Sequence, residues 1–234
     1  MTKEFEFETY LKISSKDFGI YLLDKGELIN LYSEEIKFND NKNQIDLNLL
    51  SKFLEDNIFK IEKFIGKFIK NIILIIDSNK ISFVDIGIKK KIYEKNINKI
   101  YLENVLTEAK DLIKETNQNQ KIIHILVKNY IIDGVNHSKF NCDMVCDNLC
   151  LEIEFILIQN NITLEIEKIL EKYQIKVIKY IDYKYLNFFF KGNDLKVSEM
   201  AYKIHNGINE NEVLVVPKNY KKQGFFEKFF QLFS

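Results

Sequence analysis

NIILIID, residues Asn71–Asp77, followed three residues later by ISFVDIG, Ile81–Gly87, decides the class of fold. Each is a short apolar run rich in β-branched residues, the pattern of a strand covered on both faces. The second continues into a polar edge, KKKIYEK. Upstream, Asp46 caps a helical pattern in which Leu47, Leu50, Phe53, Leu54, Ile58, Ile61, Phe64, Ile65, Phe68 and Ile69 keep one face apolar for about 24 residues. Earlier still, residues 9–23 and 27–38 read as two strands around a turn at Asp24-Lys25-Gly26, a hairpin that opens the fold.

Downstream, Ile100–Lys114 reads as a helix with Leu102, Val105, Leu106, Ala109 and Leu112 on one side. Lys121–Asp133 and Leu149–Ile158 read as strands, joined by a loop with Asp133-Gly134 and Asn136 as turn residues. Asn160–Gln174 is a further helical pattern, and IKVIKYIDYKYLNFFF, residues 175–190, reads as one or two more strands. From Gly192 the pattern weakens to a short helical piece at 197–204, an extended run at 213–216 and the single proline, Pro217, so residues 191–219 read as a tether. Alternation of strands and helices places the chain in the α/β (α+β) class.

The composition, 46% hydrophobic and 29% charged, is that of a folded protein with a substantial core. Lysine and arginine together number 34, as do aspartate and glutamate, which removes the basic footprint of a nucleic-acid binder. There is no arginine, so the planar fork used to clamp phosphates is missing and phosphoryl transfer is a poor fit. No apolar run approaches the roughly 20 residues needed to span a bilayer, and the acidic, alternating start MTKEFEFETY is not a signal peptide. A cytoplasmic protein is expected, and three cysteines fit that reducing compartment.

Candidate chemistry is thin. Cys142, Cys146 and Cys150 with His137 tempt a zinc assignment, but three intervening residues throughout match no common zinc pattern. His124 lies in an alternating strand with no accompanying nucleophile or carboxylate pattern, and His205 lies in the tether. Without a glycine-rich phosphate loop, a nucleophile elbow or a metal motif, no catalysis, cofactor or metal is expected.

The last fifteen residues, YKKQGFFEKFFQLFS, carry the sharpest functional pattern. As a helix they set Phe225, Phe226, Phe229, Phe230, Leu232 and Phe233 on one arc, with Glu227, Lys228 and Gln231 opposite. Gly224 separates them from the preceding chain, and Lys221 and Lys222 sit where headgroup phosphates would lie. The membrane-binding set is Lys221, Lys222, Phe225, Phe226, Lys228, Phe229, Phe230, Leu232 and Phe233. The alternative is a terminal helix docked on the core or on a partner subunit.

Residues Ile72–Tyr183 resemble FtsA, the actin-like bacterial cell-division protein that tethers FtsZ filaments to the inner membrane. The resemblance rests on YLENVLTEAKDLI (Tyr101–Ile113), KIIHILVKNYIIDGV (Lys121–Val135) and CDMVCDNLCLEIEFILI (Cys142–Ile158), and on the terminal FFEKFFQLF, which is similar to the family's membrane-targeting sequence. In the family these stretches form an inserted strand-helix-strand-strand subdomain, called 1C, that contacts neighbouring protomers and other division proteins. Where the family has Asp, an apolar residue, Gly and then Thr or Ser around the ATP phosphates, this chain has Lys12-Ile13-Ser14-Ser15-Lys16. The resemblance therefore implies a lost ATP site and a single actin-like lobe: residues 5–71 and 158–190 as half-domain, 72–157 as 1C-like insertion, 191–219 as tether and 220–234 as membrane-targeting helix.

The function it implies is a division scaffold, without ATP hydrolysis, on the cytoplasmic face of the inner membrane at the division site. Its partners would be the lipid surface, division proteins and copies of itself, with no nucleic acid. FtsZ contact in the family belongs to the lobe this chain does not match. Two other readings fit the residues: an actin-like adaptor of a pilus or secretion assembly, and a soluble oligomer using its Phe-rich tail as an interface.

Overall fold

The computed structural model describes residues 6–38, 44–140 and 144–213. In chain order its elements are β1 (Phe7–Ile13), β2 (Asp17–Asp24), β3 (Asn30–Lys37), α1 (Leu47–Ile65), β4 (Asn71–Ile76), β5 (Ile81–Ile97), α2 (Lys99–Thr116), β6 (Gln120–Ile132), β7 (Val135–His137), β8 (Met144–Gln159), α3 (Asn160–Glu171), β9 (Lys176–Asp182), α4 (Tyr183–Phe189) and α5 (Val197–His205). They form two compact units. Among the described residues, 6–81 and 158–208 make the first, and 82–157 and 209–213 the second.

The first unit is built on a five-stranded sheet of order β3-β2-β1-β4-β9. β1, β2 and β3 form an antiparallel meander, while β4 joins β1 and β9 joins β4 in parallel. Helices cover both faces, so the inner strands bury residues of either parity: Thr9–Ile13, Phe18–Asp24 and Ile72–Ile76 are all buried. On one face α1 and α3 lie against each other and against β2 and β9. Phe18 meets Phe53 of α1 there, and the Tyr180 hydroxyl donates to Glu167 of α3. On the other, α4 packs against β9 and α5, and α5 against β2.

α1 starts where the Asp46 carboxylate accepts the amides of Asn48 and Leu49 at 3.1 Å, and buries Leu50, Phe53, Leu54, Asn57, Ile58 and Ile61. The apolar pattern runs on to Ile69, yet the helix ends at Ile65. Gly66 takes the left-handed conformation, φ 69°, and its N–H bonds the Glu62 carbonyl. The Glu62 side chain then accepts the amide of Ile69 at 3.0 Å, which turns the chain into β4.

The second unit is a four-stranded sheet of order β5-β8-β6-β7. β8 alternates as far as Phe155, beyond which Ile156 and Ile158, of the other parity, are buried as well; Leu149, Leu151, Ile153, Phe155 and Leu157 join the core together with Leu102, Val105, Leu106, Ala109 and Ile113 of α2. Away from it, Lys128 of β6 pairs with Glu154 of β8 at 2.7 Å and Asp85 of β5 at 2.9 Å, a charged ladder across three strands.

Several expectations are corrected. The first strand run is two strands, because a tight turn at 14–16 interrupts it. The run 175–190 is a strand and a helix, because the buried Asp182 carboxylate accepts the Tyr185 amide at 3.0 Å and starts α4. Ile72–Ile76 of the strand Asn71–Ile76, assigned with the insertion, pair with β1 and β9 and belong to the first unit, whose boundary falls at Ile81. The described part of the tether is ordered by contacts: α5 packs on the first unit, and residues 209–213 lie along β6 in the second. The extended run 213–216 therefore begins as an edge pairing. Residues 220–234 lie outside the described residues. No helix among the described residues is long and apolar enough to cross a membrane.

Candidate functional site

In a sheet with parallel strands and helices on both faces, the carboxyl ends of the strands are where side chains and loops converge on a ligand. Here that edge is formed by Ile13-Ser14 after β1, Asp77 after β4 and Tyr183 after β9. The amide of Asp77 donates to the Ile13 carbonyl at 2.9 Å, tying the first two together.

The turn from β1 to β2 is closed on itself. The Ser14 hydroxyl oxygen accepts from the amides of Lys16 at 3.0 Å and Asp17 at 2.9 Å, and donates to Asp17 Oδ1 at 2.6 Å. The Ser14 amide donates to the Asp17 carbonyl at 2.9 Å. Three backbone N–H groups of the turn are thereby consumed internally. An anion arriving here would have to displace the Ser14 hydroxyl.

A cation fills the adjacent space. Lys12 Nζ donates to Asp17 Oδ2 at 2.7 Å and stands 4.5 Å from the centre of the Tyr183 ring. Burial pulls the Lys12 ammonium pKa down, but its bond and charge pairing with Asp17 outweigh this and leave it above its ordinary value. Burial likewise pushes the Asp17 carboxyl up, and its bonds from Lys12 and Ser14, with the charges of Lys12 and Lys37, bring it below the ordinary value. Beside the pair, Gly19 lies in register between Lys12 and Glu35. A Cβ on Gly19 would fall 2.4 Å from Tyr21 Oη, so the missing side chain is what lets the Tyr21 ring cross to donate to Glu35 Oε1 at 2.7 Å. Burial, then Glu35, holds that phenol well above its usual range.

The second unit carries a separate buried polar pair. His124 Nδ1 lies 2.8 Å from Glu212 Oε1, and both residues are buried. Glu212 arrives there because residues 209–213 extend antiparallel to β6: the Val127 amide donates to the Asn211 carbonyl and the Val213 amide to the Ile125 carbonyl, each at 2.9 Å.

Of the residues singled out in the sequence, Lys12 and Ser14 meet in the first cluster, and His124 meets a carboxylate that no local pattern announced. Cys146 is buried, and burial is the main cause raising its thiol pKa; Cys150 is half-buried, His137 lies on β7, and Cys142 is outside the described residues. Lys221, Lys222, Phe225, Phe226, Lys228, Phe229, Phe230, Leu232 and Phe233 also lie outside the described residues. Among the described residues no group of three or more His, Cys, Asp or Glu side chains is placed to share a metal ion. Asp17, Tyr21, Glu35 and Tyr183 were not singled out. Only Asp17, three residues after Ser14, leaves a local trace, as the far end of a serine-closed turn.

No protein-family model matches the sequence, and no curated protein matches it. Among solved structures the chain is similar to one from a "PilM-PilN type IV pilus biogenesis complex", with a TM-score of 0.51 and 6% identity, over 78% of this chain and 49% of that one. A meander followed by parallel strands, in the order β3-β2-β1-β4-β9 with a second unit inserted after β5 begins, accompanies this likeness. The fold is actin-like. A Bacteroides thetaiotaomicron protein described as having an "actin-like ATPase fold and unknown function" is also similar, at a TM-score of 0.34 and 12% identity, over 80% of this chain and 57% of that one. The chain spans about half the length of each. What the actin-like chain presents at its strand ends is a closed turn and an ion pair.

Proposed function

We propose that the protein is an adaptor in a membrane-associated assembly, of the pilus or secretion kind, working by protein binding without ATP hydrolysis. The carrying observation is the closed Ser14 turn with Lys12 paired to Asp17, at the place where the FtsA-like pattern would hold ATP phosphates. A phosphate site needs outward N–H groups and a close backbone approach; here the N–H groups turn inward and a serine stands for the glycine. The likeness to the pilus complex supports an actin-like protein whose use is to bind another protein. On this reading the chain acts at the cytoplasmic face of the inner membrane, with the tail of a membrane protein as its partner.

A nucleotide test addresses the first half of the proposal. Thermal unfolding with and without millimolar MgATP should give the same midpoint, because a ligand bound at 100 times its Kd would add about 2.7 kcal/mol and raise the midpoint by several degrees. A rise of that size, abolished by K12A or S14A, would sink the non-hydrolysing reading.

The second reading is the division scaffold, and the terminal pattern YKKQGFFEKFFQLFS favours it. It has the chain anchored through Phe225, Phe226, Phe229, Phe230, Leu232 and Phe233, binding division proteins or itself through the inserted unit. Each fully buried ring contributes about 1.5–3 kcal/mol, so one short helix is a modest anchor and several copies would be needed. Sedimentation with anionic vesicles separates the readings. Binding that disappears in a chain ending at Asn219 supports the scaffold; binding by neither chain leaves the adaptor.

A further inference from the structure

The end of α1 and the loop after it, FKIEKFIGKFIK from Phe59 to Lys70, present three aromatic side chains to solvent: Phe59 is 70% exposed, Phe64 61% and Phe68 79%. Lone exposed apolar residues are ordinary, but three exposed phenylalanines within ten positions are a local concentration of aromatic surface; on α1, Phe59 and Phe64 point about 140° apart with Lys60 and Lys63 between them. Local geometry holds them out. Gly66 ends the helix in the left-handed conformation, Glu62 takes the amide of Ile69, and Ile69 is buried, so its neighbour Phe68 faces away.

The charge around the patch selects its occupant. Lys60, Lys63, Lys67 and Lys70 are all exposed, while the stretch has one acid, Glu62, whose carboxylate is turned to the Ile69 amide. In a chain whose charges cancel overall, this is a local basic surface. Glu55 and Asp56, one turn earlier on α1, mark its limit. Lys67 Nζ stands 4.5 Å from the centre of the Phe7 ring, so its ammonium already lies over an aromatic face, while the residue as a whole is exposed. Aromatic rings that insert at headgroup depth, flanked by lysines at phosphate depth, are complementary to an anionic lipid surface.

We propose that residues 59–70 form a second lipid-contacting surface, on the folded first unit and independent of the terminal tail. Contact by the patch itself needs neither reading of the protein's function; only its action as a second attachment point rests on the tail contact of the scaffold reading. A patch of this kind would add a second point of attachment, and two weak contacts on one chain bind a surface far better than one.

Flotation of the full-length chain with vesicles of phosphatidylcholine alone, or of phosphatidylcholine with phosphatidylglycerol, tests it. F59S/F64S/F68S should lower partitioning onto the anionic vesicles by about tenfold for each ring that inserts. Each lysine changed to glutamine should lower it about fivefold, and added salt should weaken only the lysine part. A tail variant, F225S/F226S/F229S/F230S, should keep residual anionic binding that the F59S/F64S/F68S changes then remove. Unchanged far-UV circular dichroism shows that the exposed substitutions leave the fold intact. The proposal fails if F59S/F64S/F68S partitions like the parent chain, or if the tail variant alone abolishes all binding. It also fails if the patch variant instead dissociates a dimer of the parent chain without affecting flotation, since the patch would then be a protein interface.

Discussion

Truncating Asp17 to alanine should destabilise the first unit far more than truncating its partner. Asp17 holds Lys12 Nζ at 2.7 Å, with side-chain exposures of 22% and 10% respectively. Removing one member of a buried pair costs about 3–5 kcal/mol because the other charge stays behind, and partial access of water to Asp17 places D17A near the lower end, about 3 kcal/mol. K12M should cost about 1 kcal/mol, because it leaves the carboxylate with the Ser14 hydroxyl and with Lys37 opposite it on β3. The double variant no longer strands an ammonium and should cost about 2 kcal/mol, against about 4 if the two changes were independent. Urea unfolding followed by far-UV circular dichroism measures all three. The pH dependence carries the same sign test. Asp17 titrates below its ordinary value, so its contribution is present above the ordinary carboxylate range and is lost as pH falls through about 4 and below; Lys12 titrates above its ordinary value, so its contribution is present below about 10.4 and is lost as pH rises beyond it. A cost for D17A under about 1 kcal/mol, or additivity within about 0.5 kcal/mol, would refute the account of this pair.

Two further outcomes follow from the structure. H124L should leave Glu212 buried without its imidazole partner, loosen residues 209–213 from β6, and speed hydrogen exchange at the amides of Val127 and Val213 by tenfold or more, about 1.4 kcal/mol or above; unchanged exchange there would show that the backbone pairing needs no help from the pair. G66A should lower stability by about 1 kcal/mol, since the residue needs φ 69° while nothing crowds an added Cβ, and a midpoint within a degree of the parent would count against conformational strain as the cause.

What could be read along the chain was whatever depends on neighbours within a few residues. The helix begun by Asp46 and the alternation of LCLEIEF follow from periodicities of 3.6 and 2, and the strand in NIILIID from a continuous apolar run buried on both faces. The turn at Ser14 escaped because it has no glycine or proline and is closed by a hydroxyl. The helix after β9 escaped because YKYLNFF is as apolar and aromatic as the strand before it, and only the Asp182 cap distinguishes them.

The sequence by itself determined the α/β class, most of the core-facing residues of the long elements and the basic, aromatic character of the terminal stretch, since these rest on local pattern; Phe64, Phe68 and Leu112, placed by that pattern on the apolar faces, are exposed, and Ile113 takes the core position beside Leu112. Tertiary structure decided the rest. It alone brought Asp17 to Lys12 across a turn, Glu212 to His124 across 88 positions, and Tyr21 over Gly19 to Glu35, and it alone placed NIILIID in the first unit and residues 209–213 on the second. Contacts of that kind depend on which strands become neighbours, and strand order is fixed by burial of the whole core.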